Sequence, residues 1–316
     1  MAAPSVTTGT WDDQVQAAFD QVAYFALRSQ PLFEMIADVR STAQTHNGSS
    51  VKFTFLADLG QATTALTENA DVTAQALTDS QVDVALAEYG NAVITSAKLR
   101  GTSFLNVDAD AANIVGYNMA DSLDKLVSNE ANSGTNVNYS GGAANRGALT
   151  TGDEYTAADG RKAVAQLRSR NAPGWENGNY MAIIHPDVSY DLRSDSAVTD
   201  VIQYQLYQDG GPIRAGSIGT FNGIEYIENP RAGMIADGGA TTFDAYQTLI
   251  CGRQGLAKAF SRAPGFGPEP SIVVGPVTDT LRRFNPIGWY HLVGYGIFRE
   301  ECLQRVESIS SIGANT

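Results

Sequence analysis

The sequence predicts an α+β protein. Three observations carry that prediction. Apolar residues alternate at period two around 51–57 and again from 81 to 96, helical spacing governs 103–132 and 156–170, and short turn-bounded strands fill the C-terminal half. The 316 residues suffice for a substantial core, and the length fits one to three domains of about 150 residues each.

The N-terminal stretch 11–40, WDDQVQAAFDQVAYFALRSQPLFEMIADVR, predicts a helix interrupted by Pro31. Thr10 can cap it, and Asp12 and Asp13 sit in the first turn, where the macrodipole favours anions. Val15, Ala18, Phe19, Val22 and Phe25 then form an apolar stripe that seeks a partner. STAQTHNGSS, 41–50, is a polar connector. Next, VKFTFLA puts Val51, Phe53 and Phe55 on one face, and QVDVALAEYGNAVITS resumes the alternation at Val82, Val84 and Leu86. These are two strands of one hairpin, yet residues 58–80 lie between them, against the about two to five residues of an ordinary hairpin loop. That loop carries Leu66, Val72 and Leu77, apolar points a solvated linker has no use for.

SFLNVDADAANIVGYNMADSLDKLVSNEAN predicts a long helix with Ile114, Val115, Met119, Leu123, Leu126 and Val127 on its apolar face. After a glycine-rich passage, Thr156 caps a helix with Asp159 at N3, and Pro173 stops it. YMAII, 180–184, is a buried strand running into a helix that begins at Pro186, with Asp187 in its first turn. IGTFNGIEYIENPRAG is a strand pair about Asn222-Gly223. AYQTLICGRQGLAKAF and PSIVVGPV add short strands, and the C-terminal region carries one last long strand with Trp289, His291, Val293 and Tyr295 on one face.

Composition excludes several functions. The formal net charge is −13 and only five lysines are present, which argues against a nucleic-acid binder or a polybasic membrane patch. Charged residues make up 17% of the chain against a usual about 25%, so much of the surface is uncharged and suited to meeting other protein surfaces. Cys251 and Cys302 lie outside any metal-ligand spacing and are expected as buried free thiols in a reducing compartment. His46, His185 and His291 lack a second ligand at metal spacing, so no metal and no cofactor is expected. Glu300 with Glu301, and Asp12 with Asp13, are neighbours on solvated or capping positions. GxSxG, Walker-type and strand-embedded GxGxxG patterns are absent. His185, Asp187 and Ser189 could make a hydrolytic site, but members of a catalytic triad normally come from separate elements. The sequence shows no signal peptide and no run of about 18 apolar residues, so neither secretion nor a membrane span is expected.

Four stretches in order, VKFTFLADLGQATTALTENA, TAADGRKAVAQLRSRNAP, NYMAIIHPDVSYDLRSD and IGTFNGIEYIENP, resemble the major capsid proteins of tailed phages, the Hong-Kong-97-type fold. The likeness is closest to the coat family typified by phage N-four and covers residues 15–310. It implies an N-terminal arm at 1–50, an extended E-loop at 51–97, and a P-domain with a long spine helix at 98–134. An A-domain at 135–277 and a P-domain C-terminal strand and tail at 278–316 complete it. It further implies a non-enzymatic protein that assembles as hexamers and pentamers of an icosahedral head around double-stranded DNA, bound without sequence specificity. Leu66, Glu68, Val72 and Leu77 of the loop, with Val15, Phe19 and Val22 of the arm, would contact neighbouring subunits.

The protein would then belong to the virion and assemble in the bacterial cytoplasm. Scaffold, portal and cement proteins are the expected partners; no long helical segment precedes the arm, so a built-in scaffolding domain is expected to have been cleaved already or to be supplied by a separate scaffold protein. Residues 53–97 contain no lysine, so Lys–Asn crosslinking through this loop is excluded and a non-covalent shell is expected. An encapsulin-like shell and a cytoplasmic hydrolase using His185 and Asp187 are the alternatives.

Overall fold

The structure is a computed structural model that describes residues 28–40, 48–66, 68–69, 71–103, 105–175, 178–195, 219–261, 266–275, 280–281 and 283–313. A one-turn 3-10 helix at Phe33–Ile36 leads into β1 (Ala37–Arg40), β2 (Ser50–Leu56), β3 (Asp79–Ala85), β4 (Ala87–Ser96), α1 (Ala97–Thr102) and α2 (Val107–Ala131). β5 (Val137–Tyr139), α3 (Ala157–Ser169), β6 (Tyr180–Ile184), α4 (Pro186–Ser194), β7 (Gly219–Phe221) and β8 (Ile224–Glu228) follow. The chain ends with β9 (Gly233–Ile235), β10 (Ala245–Cys251), β11 (Leu256–Phe260), β12 (Ser271–Val274), β13 (Phe284–Ile297) and β14 (Leu303–Ser308). The described residues fall into two compact units: Arg28, Asn91–Asn118 and the described part of Ile272–Trp289 belong to one, and the other described residues to the second.

The larger unit is built on a seven-stranded mixed sheet ordered β5-β14-β10-β6-β8-β7, with β9 also paired to β10. Every residue of β6 and β10 is buried, because both faces of the sheet are covered. On one face, Val164 and Leu167 of α3 and Val188 and Leu192 of α4 pack on Ala182, Ile184, Tyr246 and Ile250. On the other, Met181, Ile183 and Leu249 meet Val127 and Ala131 of α2 together with Phe33 and Ile36. Two-sided cover explains why YMAII and AYQTLIC read as continuous apolar runs, since alternation survives only where one face meets water.

Local signals place α3 and the β7–β8 turn. Thr156 and Asp159 close the expected capping box, and Asn171, at φ +57, ends the helix in the left-handed region two residues before Pro173. Asn222 and Gly223 have φ of +53 and +78, the paired positive values that a two-residue hairpin turn requires.

The hairpin β2–β3 pairs antiparallel from Ser50↔Ala85 to Leu56↔Asp79, and the Ala57 N–H extends the ladder to Thr78 O at 2.9 Å. Its root is packed: Val51 and Val84 are buried against Ala259, while Phe53 and Phe55 lie 5.5 and 4.6 Å from the Phe298 ring. β13 presents Gly294 to the hairpin, where an added Cβ would come within 2.2 Å of Ala85 O. β11 pairs antiparallel with the C-terminal part of β13 and parallel with β1. In the smaller unit, the Trp289 indole N–H donates to Asn118 Oδ1 at 3.1 Å, and Thr95 Oγ donates to Asp108 Oδ1 at 2.8 Å.

Four expectations need correction. Residues 33–40 are not a continuation of a helix: one 3-10 turn buries Phe33 and Ile36, and Ala37–Arg40 then pairs with β11, long-range pairing that overrides local pattern. The long helix begins at Val107 and not at Ser103, because Ala97–Thr102 forms its own short helix capped by Ser96. Ile114, expected on the apolar face, is exposed, whereas Val115, Leu123 and Val127 are buried. The second strand of the hairpin, expected to run through QVDVALAEYGNAVITS, pairs with β2 only over Asp79–Ala85, and β4 lies outside that two-stranded sheet. The last long strand is β13, which carries Trp289, His291, Val293 and Tyr295 as expected.

Candidate functional site

His185 is the N-cap of α4. Its Nδ1 accepts the Asp187 N–H at 3.3 Å and lies 3.5 Å from Asp187 Oδ2. Burial lowers the His185 pKa against the opposing pull of Asp187 and Glu228, so the imidazole is neutral and Nδ1 is free to accept. Asp187 Oδ2 accepts the Tyr246 hydroxyl at 2.8 Å, and the Tyr246 ring lies 5.0 Å from the imidazole. Ser189 Oγ donates to Glu228 Oε2 at 2.7 Å. The strand end is thus a cap whose serine is engaged by Glu228, not a nucleophile paired with His185.

Cys251 and Cys302 are buried free thiols, and burial pushes the Cys251 pKa up to about 12. Such thiols are protonated and poor nucleophiles. Among the described residues no group of three or more His, Cys, Asp or Glu side chains is placed to hold a metal ion, and no helix is long and apolar enough to cross a membrane.

Two buried ionic clusters stand where sequence reasoning named nothing. Glu307, 0% exposed, accepts Arg146 Nε at 2.7 Å and Nη2 at 2.6 Å, Arg305 Nε at 2.8 Å and Gln247 Nε2 at 3.3 Å. Asp124, 1% exposed, accepts the backbone N–H groups of Leu32 at 2.7 Å and Phe33 at 2.6 Å through Oδ1, and Arg231 Nε at 2.7 Å through Oδ2. Arg231 also donates to the Asp121 carboxylate and carbonyl. Apart from Arg305, two positions from Glu307 on the same strand, these partners are separated by 60–161 positions, so no local spacing signals them.

The loop beyond the β2–β3 hairpin is the opposite case. Every described residue from 57 to 78 is exposed. Leu66 is 77%, Val72 59% and Leu77 68% exposed, with Leu56 and Leu59 also in the open. Covering a single such side chain contributes about 1.5–3 kcal/mol, so the isolated chain leaves a large stabilisation unrealised. Glu68 is exposed in the same loop. Val15, Phe19 and Val22 lie outside the described residues. At the hairpin root a groove of about 660 Å³ is lined by Phe55, Leu56, Arg170, Pro173, Phe298 and Arg299. Apolar side chains are also uncovered on the smaller unit, at Val93, Ile94, Ile272, Val274 and Leu281.

The chain thus combines well-packed sheets and a capped strand end with uncovered apolar side chains in its loops. The sequence pattern of the family described as phage capsid protein matches residues 8–304, and the chain belongs to that family. No curated protein matches it significantly. Among solved structures it is similar to the capsid of Ralstonia phage GP4, at 14% identity and TM-score 0.75 over 98% of this chain and 99% of that one. It is also similar to the capsid of cyanophage Pam1, at 14% identity and TM-score 0.71 over 98% and 100%. The head structure of Helicobacter pylori bacteriophage KHP40 aligns at 11% identity and TM-score 0.71 over 98% and 99%. The protein has the α+β, Hong-Kong-97-type fold and is a structural protein of the virion. The narrower likeness to the phage N-four coats is an expectation that these matches do not address.

Proposed function

We propose that this is the major capsid protein of a tailed phage, assembling through hexamers and pentamers into an icosahedral head that encloses double-stranded DNA. The observation that carries the reading is the exposed loop at 57–78, whose Leu66, Val72 and Leu77 have no cover in the single chain although the hairpin beneath them is firmly packed. A closed assembly of identical subunits supplies that cover repeatedly. Residues 1–50 act as the arm, 51–97 as the E-loop, 98–134 and 278–316 as the P-domain, and 135–277 as the A-domain.

Leu66, Glu68, Val72 and Leu77, with Val15, Phe19 and Val22, contact neighbouring subunits in this reading. Asp58, Glu68 and Asp71 make the loop acidic, and no Lys or Arg offsets them between 57 and 78. The exposed Lys98, Arg100 and Arg283, on a unit that also presents Val93 and Ile94, offer a neighbouring copy a surface of matching chemistry. The net charge of −13 keeps packaged DNA from adhering to the wall. The protein performs no turnover, assembles in the bacterial cytoplasm, and works with separate scaffold, portal and cement proteins. The phage family match favours a head over an encapsulin-like compartment. Deleting residues 60–78 tests the reading: folded monomers or capsomers without shells are expected, and shells of normal size would refute the role given to the loop.

A further inference from the structure

The segment just after residues 1–27 is held by an unusual device. Leu32, the N-cap of the 3-10 turn Phe33–Ile36, has no side-chain cap of its own. Its N–H and that of Phe33 are taken instead by Asp124 of α2, from 92 and 91 positions away. A carboxylate at this point satisfies two orphan donors and faces the positive end of the turn. Arg231 neutralises it and reaches on to Asp121. Asn229 completes the arrangement: its Nδ2 donates to Gln30 O at 3.2 Å, its Oδ1 accepts the Arg231 N–H at 2.9 Å, and its own N–H is bound to Ile184 O at the end of β6.

Subunit stability alone does not call for this. Phe33 and Ile36 are already sunk in the core, and Glu34 is paired with Lys258 on β11. Burying Asp124 with Arg231 carries a desolvation cost that an apolar pair of similar volume would avoid. What the ionic arrangement adds is direction, because two consecutive amides and a carbonyl can meet Asp124 and Asn229 in only one backbone orientation.

We propose that Asp124, Arg231 and Asn229 form a positioning anchor that fixes the backbone direction at residues 30–33, so that shell formation depends on them more than folding does. This rests on the reading that residues 1–50 form an arm engaging neighbouring copies. The test combines hydrogen exchange on unassembled subunits with particle yield for Asp124→Ala, Asp124→Asn and Asn229→Ala. In Asp124→Ala the Leu32 and Phe33 amides should exchange about tenfold faster or more, the change expected for one lost hydrogen bond of about 1.4 kcal/mol, while the Ile183 and Leu249 amides stay protected. Its yield of closed shells should fall several-fold at equal folded concentration. Asp124→Asn, whose side-chain oxygen still accepts, should restore most of both, a rescue that a general packing role would not give. Folded Asp124→Ala subunits that assemble at the wild-type yield overturn the proposal. If Asp124→Ala does not fold, Asn229→Ala decides: a reduced shell yield supports the anchor and an unchanged one overturns it. Wild-type protein that makes no particles would refute the capsid reading alone, and the exchange rates would still show whether the anchor holds the segment.

Discussion

His291 lies at the middle of β13, 1% exposed, with Nε2 unpartnered and with Lys258 and Glu34 as the charged groups bearing on it. Burial first, and the Lys258 ammonium second, lower its pKa to about 4. A folded-state value below the unfolded value of about 6.5 means that the unfolded chain binds the extra proton first, so the stability this group confers is present above about pH 6.5 and lost as pH falls toward 4. Urea titrations at pH 7 and pH 4.5 should therefore show a larger loss for the wild type than for His291→Gln; equal losses would show that His291 is not titrating in this way. Glu307 behaves differently. Burial raises its pKa, yet the hydrogen bonds from Arg146 and the nearby Arg305 outweigh this and hold it below the ordinary carboxylate value. Glu307→Gln leaves buried guanidinium charge uncompensated and should cost about 3–5 kcal/mol in a urea titration at pH 7. For His185, loss of the cap in His185→Ala should cost about 1 kcal/mol, and His185→Asn should recover most of it.

At the scale of elements, the hairpin root is packed and its loop is exposed. Leu66→Asp combined with Leu77→Asp should leave the unfolding free energy of the subunit from urea titration within about 0.5 kcal/mol of wild type, as expected for exposed positions, while abolishing particle formation in sedimentation velocity. A large stability loss in the unassembled subunit would place these residues in its own core. The elements written into local sequence were legible there: Thr156 with Asp159, Pro186 at a helix start, and Asn222-Gly223 each satisfy a backbone need within four residues. The overlong loop was legible too, because it breaks a length rule. What escaped depends on distant partners. Residues 37–40 carry a helical-looking pattern, but their conformation is decided by β11, more than 200 positions away. Nothing near Asp124 distinguishes it from a solvated carboxylate, Glu307 has only Arg305 two positions away, and the folded chain alone brings Arg231 and Arg146 to them.

At the scale of the whole molecule, the low charge fraction, the acidic balance and the uncovered apolar surfaces have one common cause if the chain's working environment is other copies of itself. With no lysine from residue 53 to 97, particles held through this loop should dissolve on a denaturing gel without reducing agent into a single band at the 33.6 kDa of one chain; a covalent ladder would contradict a non-covalent shell. The most direct measurement is electron microscopy of the purified protein, expressed alone and together with a scaffold partner. Closed icosahedral shells with hexameric and pentameric capsomers are the predicted result. Monomers in both preparations, with no shells, sheets or capsomers, would contradict the account at its centre.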